Sequence, residues 1–170
     1  EAMLIVQDLV GDVYSNTPLK PNLKLKDSYR SNEHTFVDMG DDEFTAKIGK
    51  PHPMIYHELR QKRILAEASD PETAVILLDI VLGHGADMDP AGALAKTIVQ
   101  AKKIAEDDGR YLPVVASVCG TPQDPQGLIS QEKKLRNAGV IVMPSNAQAA
   151  RMAALIATRG GVWGKIFGGG

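Results

Sequence analysis

The chain has a single cysteine, Cys119, in 170 residues, so it can neither close an internal disulfide nor build a thiolate zinc centre. That scarcity fits a reducing, cytoplasmic compartment better than a secreted scaffold. Charge of one sign is scarce too: 19 basic and 21 acidic side chains leave a formal net charge of -2, with no basic excess to recruit nucleic acid or another polyanion. No apolar run approaches the roughly 18 residues of a membrane span. The opening EAMLIVQDLV carries Glu1, Gln7 and Asp8, unlike a secretion signal, and there is no internal repeat. The first residue is not Met, and the chain opens inside an amphipathic helical pattern with no capping residue ahead of it, which reads as a fragment of a longer protein.

What is present is ordinary for a globular domain: 44% hydrophobic and 24% charged residues, in a length that suits one core. Four apolar runs rich in β-branched residues recur, HTFVDMG (34–40), TAVILLDIVLG (73–83), LPVVASVCGT (112–121) and VIVMPS (140–145). Helical segments lie between them and after the last. Asp89-Pro90 and Asp124-Pro125 read as helix N-caps with proline in the first turn, and Gly109 and Gly139 as helix-terminating glycines. Alternating strands and helices of these lengths predict right-handed crossovers and a parallel α/β sheet covered on both faces, with the four runs adjacent. Residues 1–33 read as a leading helix and an extended loop, 34–159 as the α/β domain, and 160–170 as a flexible glycine-rich tail.

In such folds ligands collect beyond the carboxyl ends of the strands, which makes the turns at Gly40, Gly83, Gly120 and Ser145 the candidate site. Gly83-His84-Gly85 lets backbone approach a ligand closely. His84 there is a candidate nucleophile, base or phosphate partner, or simply the histidine of a solvated turn. Asp79, inside an apolar strand, reads as a buried carboxylate needing a partner or facing a cleft. Asp41, Asp42 and Glu43 follow the first run, so a phosphate there needs Mg²⁺ or compensation from Lys50 and His52. His52 is held stiffly between Pro51 and Pro53, which suits positioning a small anion, whereas Glu43 starts the outward path of the chain. Cys119, Gly120 and Thr121 offer donors at the third strand end, although a lone cysteine is more often a small buried apolar residue. Ser145 and Asn146 open the last helix, whose free amides point to the same edge, and capping alone accounts for both.

Taken together, GDVYSN, DMGDDEFTAKIGKPHPMI, AVILLDIVLGHGADMDPAG, VVASVCGTPQDPQG and AGVIVMPSNAQAARMAALI resemble the C-terminal part of FdrA-type proteins, relatives of succinyl-CoA synthetase. The resemblance spans nearly the whole chain apart from the glycine tail. It implies a flavodoxin-like, three-layer CoA-ligase domain, preceded by a CoA-binding domain and a first ligase-type domain. It also implies CoA or a nucleotide with Mg²⁺ in the full-length protein and none bound to this segment alone. A homodimer of the segment is expected, because synthetase ligase domains meet through their faces. Succinyl-CoA synthetases carry phosphate on a histidine in a Gly-His-Ala-Gly-Ala loop, but the corresponding stretch here is GTPQDPQG, which has no histidine. His84 falls one strand earlier and is therefore expected to contact ligand without carrying phosphate. FdrA-type proteins are also linked to oxamate carbamoyl transfer in purine-ureide catabolism, and a non-catalytic assembly role is the remaining alternative.

Overall fold

The computed structural model describes residues 1–168. The chain runs α1 (Ala2–Val10), β1 (Tyr14–Ser15), β2 (Thr35–Phe36), α2 (Glu58–Ala68), β3 (Ile76–Val81), α3 (Pro90–Asp107), β4 (Val114–Cys119), α4 (Leu128–Asn137), β5 (Ile141–Met143), α5 (Asn146–Ala157) and α6 (Trp163–Phe167). β3, β4 and β5 form a parallel sheet in that order, with Val81 opposite Cys119 and Ser117 opposite Met143. β4 is central and covered on both faces, which is why its run is apolar without alternation and Val114, Val115 and Ala116 are fully buried. On one face α2, α3 and α4 close over Ile80, Leu94, Ile98 and Leu135. On the other, α1, α5 and α6 pack through Val6, Ala150, Ala154 and Ile166. The result is a three-layer α/β domain of flavodoxin type.

The four apolar runs are not all adjacent. The first pairs with Tyr14–Ser15 instead, in a separate two-stranded parallel sheet, and no backbone hydrogen bond joins β2 to β3 among the described residues. Its ladder is short because Asn16 takes over the pairing: its side chain accepts from Asp38 N–H and donates to Asp38 O, both at 2.9 Å. The 11–33 segment, expected to be loop throughout, therefore contributes a strand and buries Leu23 and Leu25. Direction is nonetheless preserved. The N-terminal flank of β2 is tied to the far end of α2 through Ser31 and Glu67, and Glu67 also holds Thr73 ahead of β3. The other end of β2 reaches Gly40 and His52, beside the loop that follows β3. β2 thus runs parallel to β3 with a gap between them.

Two further expectations change in detail. Asp89 does cap α3, its Oδ1 accepting from Gly92 N–H at 3.1 Å with Pro90 in the first turn. Asp124 does not cap α4, which starts at Leu128 after Gly127; its carboxylate accepts from Thr121 N–H and closes a turn. The segment read as a flexible tail carries α6, anchored by buried Val162 and by Lys165 Nζ donating to Leu9 O at 2.9 Å, while Gly169 and Gly170 lie outside the described residues. Gly109 and Gly139 end their helices at φ 72° and 75°, as expected. No described helix is long and apolar enough to cross a membrane.

Candidate functional site

The carboxyl ends of β3, β4 and β5 put Gly83, Gly120 and Ser145 at one edge, as the register requires. A buried glutamine organises it. Gln126 Oε1 accepts from Gly83 N–H at 3.1 Å, and its Nε2 donates to Gly83 O at 2.8 Å and Asp87 O at 3.1 Å. Gly83, at φ 129°, adopts a conformation side chains avoid, which lets both its backbone groups meet one amide. Behind it, Gln131 is fully buried and joins Ala91 N–H to Asp89. At Gly120 a Cβ would lie 2.8 Å from the Leu82 side chain, so the third turn needs glycine for close packing. His84 and Gly85 stand exposed on this edge. Cys119 is exposed as well, because its strand ends there, which departs from the buried apolar role usual for a lone cysteine.

A groove of about 990 Å³ opens between β2 and β3 and runs along both strands. Gly40, His52, Asp79 and Asn146 line it, together with Asp38, His57 and Arg60. His52 lies against Gly40, where a Cβ would come within 2.5 Å of Nε2, and its Nδ1 accepts from Met54 N–H at 3.2 Å. His57 is 7% exposed and neither ring nitrogen has a hydrogen-bond partner; Asp87 Oδ2 lies 3.7 Å from Nε2. Burial holds its pKa below the ordinary histidine value, Asp87 partly opposes this and Arg60 reinforces it. A neutral imidazole beside a carboxylate is equipped to accept a proton from a group placed in the groove. Arg60 Nη2 donates to Asp79 O at 2.6 Å and lies 3.8 Å from its carboxylate. Desolvation lowers the pKa of the guanidinium and Asp79 raises it.

Asp79 is therefore not a buried carboxylate: its side chain is 66% exposed, because β3 borders the groove instead of another strand. Asp41 is used locally, its Oδ1 accepting from Glu43 N–H, and Asp42 is exposed beyond the groove lining. Glu43 accepts from Ser28 Oγ at 2.8 Å. Lys50 turns to Glu58 at 3.9 Å and over the Tyr56 ring, away from the groove. Thr121 gives its amide to Asp124, and Ser145 accepts from Gln148 N–H as the cap of α5. No three His, Cys, Asp or Glu side chains among the described residues are placed to hold a metal ion. The residues that sequence reasoning passed over are His57, Arg60 and Gln126. The first two sit in a charged helical stretch and the third in a turn, and only the tertiary arrangement brings them to the edge.

A parallel sheet layered between helices, with polar groups gathered at its strand ends, defines a three-layer α/β domain. The chain belongs to the CoA-ligase family, whose model matches residues 1–156. It is 47% identical over 153 residues to YahF of Escherichia coli (strain K12), a match that covers 90% of this chain and 29% of that relative. The chain thus spans less than a third of the curated relative's length.

Proposed function

We propose that this is the C-terminal ligase-type domain of an FdrA-like acyl-CoA synthetase of the NDP-forming, succinyl-CoA synthetase-like kind. The observation that carries the reading is the gathering of the strand-end loops at Gly40, Gly83, Gly120 and Ser145 on one open side in a chain of the CoA-ligase family. Such a face contributes half of a site. Preceding domains or partner subunits supply the rest, including the binding of CoA and of a nucleotide with Mg²⁺, and the segment alone is inactive. Within the chain His52 and His57 face the groove end nearest these loops, whereas Asp41 is already engaged in its own turn. A second reading, a component of an oxamate carbamoyltransferase, is favoured by one feature: the loop 120–127 holds no histidine to carry phosphate.

Assaying the full-length protein with its partners for nucleotide-dependent CoA-thioester formation and for carbamoyl transfer separates the two. Thioester formation supports the synthetase reading, and carbamoyl transfer to oxamate alone replaces it. In the active assembly His52→Ala lowers turnover by about 10²-fold, the usual worth of an acid–base or positioning group. Glu43→Ala, which removes only the bond to Ser28, leaves turnover near wild type. Equal activities in two folded variants would remove the 49–53 loop from the mechanism. No acid-labile phosphate is expected on His84 after incubation with nucleotide, or with acyl-CoA and phosphate.

A further inference from the structure

Asp87 is the point at which three of the strand-end segments meet. Its N–H donates to Met54 O at 2.9 Å, which joins the turn after β3 to the segment carrying His52. Its carbonyl accepts from Gln126 Nε2 at 3.1 Å, and the same amide holds Gly83, so the turn after β4 is joined as well. Its Oδ1 accepts from Asp89 N–H at 2.6 Å, ahead of α3. Among the described residues only Oδ2 is left without a donor, and it lies 3.7 Å from His57 Nε2. That distance is too long for a hydrogen bond, yet short enough for a charge on the ring to act on the carboxylate. His57 stands at the entry to α2, where its carbonyl accepts from Gln61 N–H at 2.9 Å, so its backbone is fixed. Its two ring nitrogens are nevertheless buried without partners. A buried imidazole beside a carboxylate oxygen with spare acceptor capacity is an interaction not yet made, and an unmade buried bond calls for an explanation.

We propose that His57 and Asp87 form a proton-operated latch, in which protonation of the imidazole makes Nε2–H donate to Asp87 Oδ2 and draws the His52 segment onto the turn that carries His84. The ring takes one proton from solvent and no covalent bond between heavy atoms changes. Closing 3.7 Å to the roughly 2.8 Å of a charge-assisted bond takes a movement of about 1 Å. With the ring neutral the latch is open, since burial and Arg60 disfavour the charged form and Asp87 only partly opposes them. From α2 the charged neighbours are Arg60, which Asp79 of β3 faces at 3.8 Å, and Glu58, which is turned to Lys62 and Lys50. His52, on the segment ahead of α2, lies against Gly40. Asp87 is therefore the carboxylate the ring can reach. Because Asp87 is also bonded to Met54, Gln126 and Asp89, its displacement passes to Gly83 and to the start of α3. The consequence for turnover rests on the reading of this edge as half of a ligase-type site, whereas the latch itself is tested without substrate.

The test is nuclear magnetic resonance of the nitrogen-15-labelled chain between about pH 7.5 and about pH 5, following the His57 ring nitrogens beside the backbone amides. Nε2 is expected to gain a slowly exchanging proton as the ring becomes charged, and the amides of Gly83, Asp87 and Asp89 to shift with the midpoint of that ring. His57→Gln should remove the shared midpoint from all three amides, which separates it from any titration of the nearby His84. Asp87→Asn keeps the backbone bonds to Met54 and Gln126 and should lower the proton affinity of His57 by about tenfold while uncoupling the Gly83 and Asp89 amides from it. If that variant does not fold, the wild type and His57→Gln decide between them. Three results would overturn the latch: amides that do not follow the His57 midpoint, a midpoint unchanged in folded Asp87→Asn, or a protonated ring whose Nε2–H exchanges as fast as that of a free imidazole, having left its pocket.

Discussion

His57 is the residue whose environment makes the most definite claim. Its imidazole is buried, unbonded and held neutral by desolvation, an effect that Asp87 opposes and Arg60 reinforces. A histidine whose folded pKa lies below its unfolded value binds fewer protons when folded, so stability is fully present above about pH 6.5 and declines as pH falls through the unfolded and then the folded pKa. Carboxylates stay largely ionised until lower pH, so this loss stands apart from general acid unfolding. Urea midpoints measured between about pH 7 and pH 5 should fall with pH for the wild type and stay flatter for His57→Gln, and matching slopes would show that the buried imidazole is not the titrating group. None of this was legible from HELR in the sequence, because nothing local distinguishes a histidine that a later loop buries. His52 was legible, since the flanking prolines announce a constrained imidazole. Asp79 was half legible: the sequence located an unusual carboxylate on a strand and misjudged its exposure, because whether that strand borders a groove depends on its neighbours.

Among the elements, those with strong local signals came out as read. α3 shows why: Asp89 and Pro90 start it, Gly109 ends it, and Leu94, Ile98, Ala101 and Ala105 fall on one buried stripe. Asp89 also accepts from Lys134 Nζ at 2.6 Å and from Gln131, so the cap ties α3 to α4. The Lys134 bond, then those from Gln131 and Gly92, hold its carboxyl below the usual aspartate range against a smaller desolvation effect. Asp89→Ala removes the cap and the tie together and should cost about 1–2 kcal/mol in chemical denaturation at neutral pH. The wild-type advantage should shrink as pH drops below about 4, because a carboxylate with a depressed folded pKa loses its contribution on protonation. A constant difference across that range would mean that the charge plays no part. The elements that were not legible depend on distant partners. Tyr14–Ser15 is a strand only because His34 and Thr35 lie beside it, and Asp124 resembles a helix cap yet spends its carboxylate on Thr121. Residues 160–168 have the composition of a tail, yet Trp163–Phe167 within them form a helix that Lys165 ties to α1.

At the scale of the molecule, the separation of the sheet into two parts determines how the 170-residue chain should behave by itself. Unpaired strand edges are templates for pairing with another chain, and natural proteins blunt them with charge, proline or cover. Here the cover is incomplete: Arg60 meets one acceptor, while the apolar residues Leu77, Val81 and Val37 line the groove. The homodimer expected of the segment would therefore form by a second copy entering this groove, in preference to contact between the outer helix faces. Light scattering of residues 1–170 should give a mass near twice that of the monomer at about 100 μM, where a groove of this kind is far from being filled in cis. Val37→Lys sets a charge on the edge without touching α3 or α4 and should weaken the dimer Kd by tenfold or more. A dimer of unchanged affinity in the folded variant would move the interface to the helices, where Val99 and Ile129 are exposed, and a monomer in the wild type would leave the groove edges satisfied within one chain.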